Sequence, residues 1–284
     1  MKVYKVSELK NHLPIGIKDE HGKWHREFSL RPYKGKIDRL LALWDKEQDS
    51  LRDKDRRQYE LKKVAKHIAL MLERVGDLTF PTDKDGNATP STELAVLGMN
   101  LVDVMYLYIF LRIKALGNEL HIPFVCPNCG HETVIGVDLS QIDVHVPDNP
   151  DKAAFWVKLN NPLKVEDTVI NSIYIEPMKY ASLAHHSNLT VNNSMDLFAL
   201  QETVCKVNEH QNGGVPYRLS NRDLDELDKR DILHLTLEAS KAKVGPEPIV
   251  DVECPKCKHE TKDILDWSHT FFFEQSFLLT ASNL

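Results

Sequence analysis

The chain has 284 residues, 42% of them hydrophobic, and a formal net charge of −6. That length and apolar fraction support one large core or two medium ones, and the acidic balance gives no global attraction to a phosphate backbone. Residues 1–19 mix charged and apolar side chains without a signal-like stretch, and the most apolar run, Val104 to Leu111, is far shorter than the ~20 residues of a membrane span, so the protein is expected to stay in the cytoplasm where it is made.

An arm opens the chain, with strand-like Ile15-Gly-Ile17 and Glu27-Phe-Ser-Leu30 flanking the turn-like Asp19-Glu-His-Gly22. A helix is predicted over residues 35–46, where Ile37, Leu40, Leu41 and Trp44 share a face. The charged run 45–57 reads as a solvated linker or helix extension, and a second helix is predicted over 59–75. Asp83-Lys-Asp-Gly-Asn87 reads as a plain turn, because the glycine falls too early for a calcium loop and no glutamate closes one. A third helix over 91–116 should stop at Gly117, a residue suited to a left-handed helix end.

Strands at 120–125 and 133–137 then flank Cys126-Pro-Asn-Cys129-Gly-His-Glu-Thr, and a near repeat, Cys254-Pro-Lys-Cys257-Lys-His-Glu-Thr, lies 128 residues later. The same offset aligns Asp103 with Asp231, Leu107 with Leu235, Gly117 with Gly245 and Asp138 with Asp266, the mark of a duplicated unit. Ser172 to Pro177 parallels Phe28 to Pro32, and helices are predicted near 179–187, 194–208 and 222–242. The expected fold is α+β: two duplicated, mostly helical lobes joined by a ribbon of short antiparallel strands. Its divisions are a first repeat at 1–142, a linker at 143–162 with a short strand at 155–159, a second repeat at 163–270 and an apolar tail at 271–284.

Two Cys-x-x-Cys pairs make one tetrahedral thiolate site, so Cys126, Cys129, Cys254 and Cys257 are expected to hold a single structural Zn²⁺. A filled four-thiolate site has no open position for an activated water, which argues against hydrolytic chemistry. His131 and His259 are expected to lie outside the ligand set. Neither His-Glu pair continues into a metalloprotease motif, since Ile135 and Asp263 stand where the second histidine belongs. Cys205 reads as a small buried hydrophobe on a helix and His185-His186 as a surface pair. With no nucleotide-binding or nucleophile motif, the chain is not expected to be an enzyme. Nothing in the first half matches the tail, whose Phe271, Phe272, Phe273 and Phe277 either close the core or dock onto a partner.

The run from Leu101 to Gly117, Leu-Val-Asp103-Val-Met-Tyr-Leu-Tyr-Ile-Phe-Leu-Arg112-Ile-Lys-Ala-Leu-Gly, followed by a strand and Cys126-Pro-Asn-Cys129-Gly, resembles the baseplate and hub-assembly proteins of T-even-type tailed bacteriophages. The resemblance is clearest over residues 101–139. It implies a non-catalytic virion component or assembly chaperone in the tail baseplate, or the host cytoplasm during assembly, with other tail proteins as partners. Arg112 aligns with Ser240, so any contact it makes belongs to the first half alone. The competing reading is a nucleic-acid-binding zinc ribbon, which requires a basic, aromatic face around the knuckles. The residues there, Asn128, Glu132, Lys256, Lys258, Glu260 and Lys262, are mixed in charge.

Overall fold

A short strand β1 (Lys2–Lys5) and one helical turn α1 (Val6–Leu9) precede the arm, which folds as a hairpin of β2 (His12–Lys18) and β3 (Trp24–Leu30). Helices α2 (Gly35–Glu47), α3 (Asp49–Lys54) and α4 (Arg56–Met71) then lead to β4 (Leu72–Val75) and β5 (Leu78–Thr79). In this computed structural model, which describes residues 1–166, 168–185, 200–211, 213–241, 243–247 and 249–265, these strands form an antiparallel sheet in the order β2-β3-β4-β5. Helices α5 (Pro90–Leu97) and α6 (Leu101–Leu116) follow, then a hairpin of β6 (Glu119–Val125) and β7 (Glu132–Asp138), then β8 (Asp143–Val146).

The second half repeats the plan of the sheet. β9 (Phe155–Val165), β10 (Thr168–Ile175), β11 (Val204–Val207) and β12 (Val215–Pro216) pair in the order β9-β10-β11-β12, with α7 (Tyr180–His185) between β10 and β11. Helices α8 (Asn221–Glu226) and α9 (Lys229–Lys241), a two-residue strand β13 (Gly245–Pro246) and a hairpin of β14 (Ile249–Glu253) and β15 (Glu260–Ile264) complete the described chain. The central strand β8 pairs with β1 on one side and β13 on the other, so one small sheet joins the start of the chain to its last third.

Each large sheet carries the same irregularity in its outermost strand. Between the pairs His12↔Glu27 and Ile17↔His25, β2 advances five residues while β3 advances two; between Lys158↔Ser172 and Leu163↔Ile170, β9 does the same against β10. The excess residues bow out of the ladder, and their backbone N–H groups need other acceptors. A buried helix carboxylate supplies them in both places. Asp103 of α6 accepts from Ile15 N (2.8 Å) and Gly16 N (3.0 Å), and Asp231 of α9 accepts from Asn160 N (2.7 Å) and Asn161 N (3.0 Å). A side-chain amide supplements each, from Asn100 at 3.2 Å and Asn160 at 3.0 Å. Gly16 sits at φ 100°, and an added Cβ would lie 2.4 Å from the His25 carbonyl oxygen, so this bulge requires glycine.

The larger core gathers Leu13 and Phe28 from the first sheet, Ile68 and Leu72, and Val104, Leu107 and Leu111 of α6, with Val144 and Leu265 from later in the chain. A second core lies under the other sheet, built on Ile170, Ile173, Val204, Val207 and Leu235. Leu107 and Leu235 are both fully buried.

Several expectations need correction. Among the described residues helix and strand contents are 39% and 34%, so the halves are not mostly helical. The helix expected over 91–116 is two, because Asn100 takes an extended conformation and spends its amide on Gly16 O and Asp103. The helix expected over 59–75 ends at Met71, since Leu72 and Val75 are buried by pairing with Leu30 and Phe28. The helix expected over 222–242 is two: a Ser220–Asp223 capping box opens α8, and Leu227 turns extended and ends it before α9 begins. Residues 143–162, expected as a linker, hold β8, with Val144 and Val146 buried, and much of β9. Cys205 lies half-buried on β11, not on a helix, and burial pushes its thiol up to about 12. Of the helix expected at 194–208, residues 200–203 are helical and 204–207 form β11; its part before Leu200 lies outside the described residues, as do the side chains of His185-His186 and the whole tail 271–284. The Asp83 turn is a plain one, its carboxylate accepting from the backbone of Asp85 and Asn87.

Replacing Asp103 or Asp231 by alanine strands two buried N–H groups, each costing about 1–3 kcal/mol. Each variant should therefore lose about 3 kcal/mol or more, read as a lowered urea midpoint at unchanged slope. Burial pushes the Asp103 carboxyl up from 3.8 to about 6 despite its hydrogen bonds. Its contribution to stability is then full below pH 3.8 and lost as pH rises through about 6. The difference in stability between the unmodified chain and Asp103→Asn should change across that window and be flat above it.

Candidate metal centre

Both knuckles are built by the same backbone turn. Cys126 N donates to His131 O (3.0 Å) and Gly130 N to Cys126 O (2.9 Å); Cys254 N donates to His259 O and Lys258 N to Cys254 O, both at 2.9 Å. The turn needs a left-handed residue at its end, supplied by Gly130 at φ 65° and by Lys258 at φ 60°. Lysine is an unfavourable choice there. Its ammonium reaches the Glu253 carboxylate at 2.9 Å, an ion pair that helps hold the loop.

The hairpins β6–β7 and β14–β15 bring these turns together. Phe124 and Val252 pack with the two buried leading cysteines, Cys126 and Cys254, while Cys257 is half-buried and Cys129 exposed. Arg112, fully buried on α6, donates to Gly117 O (2.9 Å) and Glu119 O (3.1 Å), fixing the helix end to the root of the first hairpin.

All four sulfurs lie within 4.8 Å of one another. The closest contacts cross between the knuckles, Cys126 Sγ to Cys257 Sγ at 3.6 Å and Cys129 Sγ to Cys254 Sγ at 3.8 Å. A regular tetrahedron with metal–sulfur bonds of about 2.3 Å has edges of about 3.8 Å. The quartet therefore has the size of a tetrathiolate metal site, with neither knuckle complete alone. The side chains of His131 and His259 are not in it; these residues contribute backbone carbonyls to the turns.

Ionisation within the quartet is uneven. The backbone N–H of His259 pulls the Cys257 thiol down to about 6, with help from neighbouring thiols and from Asn128 Nδ2 at 3.7 Å. Cys129 receives a similar backbone N–H from His131, yet desolvation and three adjacent sulfurs drive it up to about 12. Packed this closely, negative charge on the sulfurs is favoured by a cation among them.

The surface around the knuckles is charge-paired. Lys258 meets Glu253, Lys262 lies 4.0 Å from Asp251, and β14–β15 present Asp251, Glu253 and Glu260 on the exposed side. No helix among the described residues is long and apolar enough to cross a membrane.

Sequence reasoning located the four cysteines and picked out Arg112, Asn128, Asp103 and Asp231, but not the hydrogen bonds these four make. An aspartate and an arginine inside an apolar helix were the available signal for two of these. The family described as T4 bacteriophage base plate protein matches residues 86–273, about two thirds of the chain, from before α5 to beyond β15. Among curated proteins and among solved structures, none matches it. The match takes in both knuckles, both latch helices and the whole second sheet, and the chain belongs to this T4 bacteriophage base plate protein family.

Proposed function

We propose that the protein is a non-catalytic structural component or assembly chaperone of a contractile phage tail, at the baseplate or its hub. A zinc ion held by Cys126, Cys129, Cys254 and Cys257 locks its two homologous units into a scaffold for other tail proteins. It works in the virion tail, or in the host cytoplasm while the tail is assembled.

The observation that carries this reading is the crossed sulfur tetrahedron, whose edges fit one ion and whose two halves lie 128 residues apart in a baseplate-family chain. Four thiolates fill the coordination sphere and leave no position for substrate. Zinc bound to such a site contributes roughly 10–16 kcal/mol in finger peptides, comparable to the whole stability of a domain. Matching sheet orders, matching bulges and matching aspartate latches at the 128-residue offset support reading the halves as copies of one unit. The paired charges around the knuckles weigh against a nucleic-acid surface.

Metal analysis of the purified chain should give close to one zinc per molecule. Cys254→Ser should lose most of the metal and melt many degrees lower; two zincs per chain, or none, contradicts a shared site. For the role itself, affinity purification from infected cells and mass spectrometry of purified virions should recover baseplate proteins with this chain. Nanomolar nucleic-acid binding in moderate salt, with no tail protein recovered, would reverse the assignment.

A further inference from the structure

A groove of about 790 Å³ opens between the arm and the C-terminal half of α6. Phe28, Leu30, Met71, Phe110 and Ile113 make it apolar, and Lys10 and Lys114 stand at its rim. No acidic residue lines it among the described residues. Its volume is that of a cleft able to take several apolar side chains.

We propose that this groove is the seat of the chain's own segment 271–279, Phe-Phe-Phe-Glu274-Gln-Ser-Phe-Leu-Leu. Three observations single out this occupant. The described chain runs up to Leu265, which is 2% exposed and belongs to the same core as Phe28 and Met71 on the groove floor. Five residues separate it from Phe271, and those six Cα–Cα steps can span about 20 Å when extended.

The 128-residue offset also continues past the second knuckle, setting Asp266-Trp-Ser268 against Asp138-Leu-Ser140. In the first half the chain beyond Asp138 turns back at once, burying Leu139, Ile142, Val144 and Val146 in the core. The second half carries the same Asp-x-Ser at the point where the first half makes this inward turn. Finally, Glu274 is the only acidic side chain in 267–284 and stands between two apolar runs, as a groove with an apolar floor and a lysine rim requires. The proposal concerns this chain alone and does not depend on the identity of the metal or on tail partners.

Lys114 is exposed, so Lys114→p-benzoylphenylalanine should fold normally. Irradiated at micromolar concentration, the purified full chain should yield an internal cross-link to a peptide within 266–284, with a yield independent of dilution. A link joining two chains would mean that a second copy fills the groove, and absence of any link to the tail would leave it for a partner; either result overturns the proposal. Hydrogen exchange gives an independent reading. Residues 271–279 should exchange at least tenfold more slowly than a free peptide, and Ala115→Arg, which crowds the groove, should abolish that protection with metal content unchanged. Unprotected amides in the unmodified chain would overturn it as well.

Discussion

Negative charge crowded into a few ångströms is the constraint on which this architecture turns. Four ionisable sulfurs meet within 4.8 Å in unequal surroundings: the backbone N–H of His259 draws the Cys257 thiol down, while desolvation and adjacent sulfurs push Cys129 up against the backbone N–H of His131. A divalent cation bound there would balance that charge, and because short sulfur contacts cross between knuckles, it would hold the β6–β7 and β14–β15 hairpins together. Arg112 extends that rigidity inward, since its guanidinium ties the root of the first hairpin to α6 and so to the larger core.

Away from the sulfurs, the two sheets solve a different problem in the same way. A bowed outer strand gains reach over its helix but leaves consecutive backbone N–H groups without ladder partners. Asp103 and Asp231 each accept two of them. The desolvation this imposes on Asp103 outweighs its hydrogen bonds, as its raised pKa records. A carboxylate retained on those terms sets register, because a one-residue slip of β2 or β9 would carry the paired donors away from both oxygens. The latch thereby fixes where each sheet lies on its helix.

The cysteine knuckles were legible in the sequence because metal ligation depends on residue type and short spacing, and both survive without knowledge of the fold. The arm hairpin and α2 were legible for a related reason: apolar period and turn residues agree there. Leu72 to Val75 was not, because its apolar residues continue the helical stripe of α4 and only pairing with β3 makes the strand the better state. Asn100 breaks a long apolar helix for the sake of a tertiary hydrogen bond to Gly16. The polar run after residue 143 hides Val144 and Val146, which become core only once β1 and β13 flank them. In each case the deciding partner lies far away in the chain.

The three-stranded sheet of β1, β8 and β13 draws on residues 2–5, 143–146 and 245–246, and this has a bearing on synthesis. At about 5–20 residues per second, the 128 residues between equivalent cysteines take roughly 6–25 s to emerge. Over that interval the nascent chain presents Cys126 and Cys129 as half a site, and its first strand still lacks part of its sheet. A chain cut short before Cys257 lacks the last sulfur of the quartet, whereas the sheet of β1, β8 and β13 is already complete once residues 245–246 have emerged.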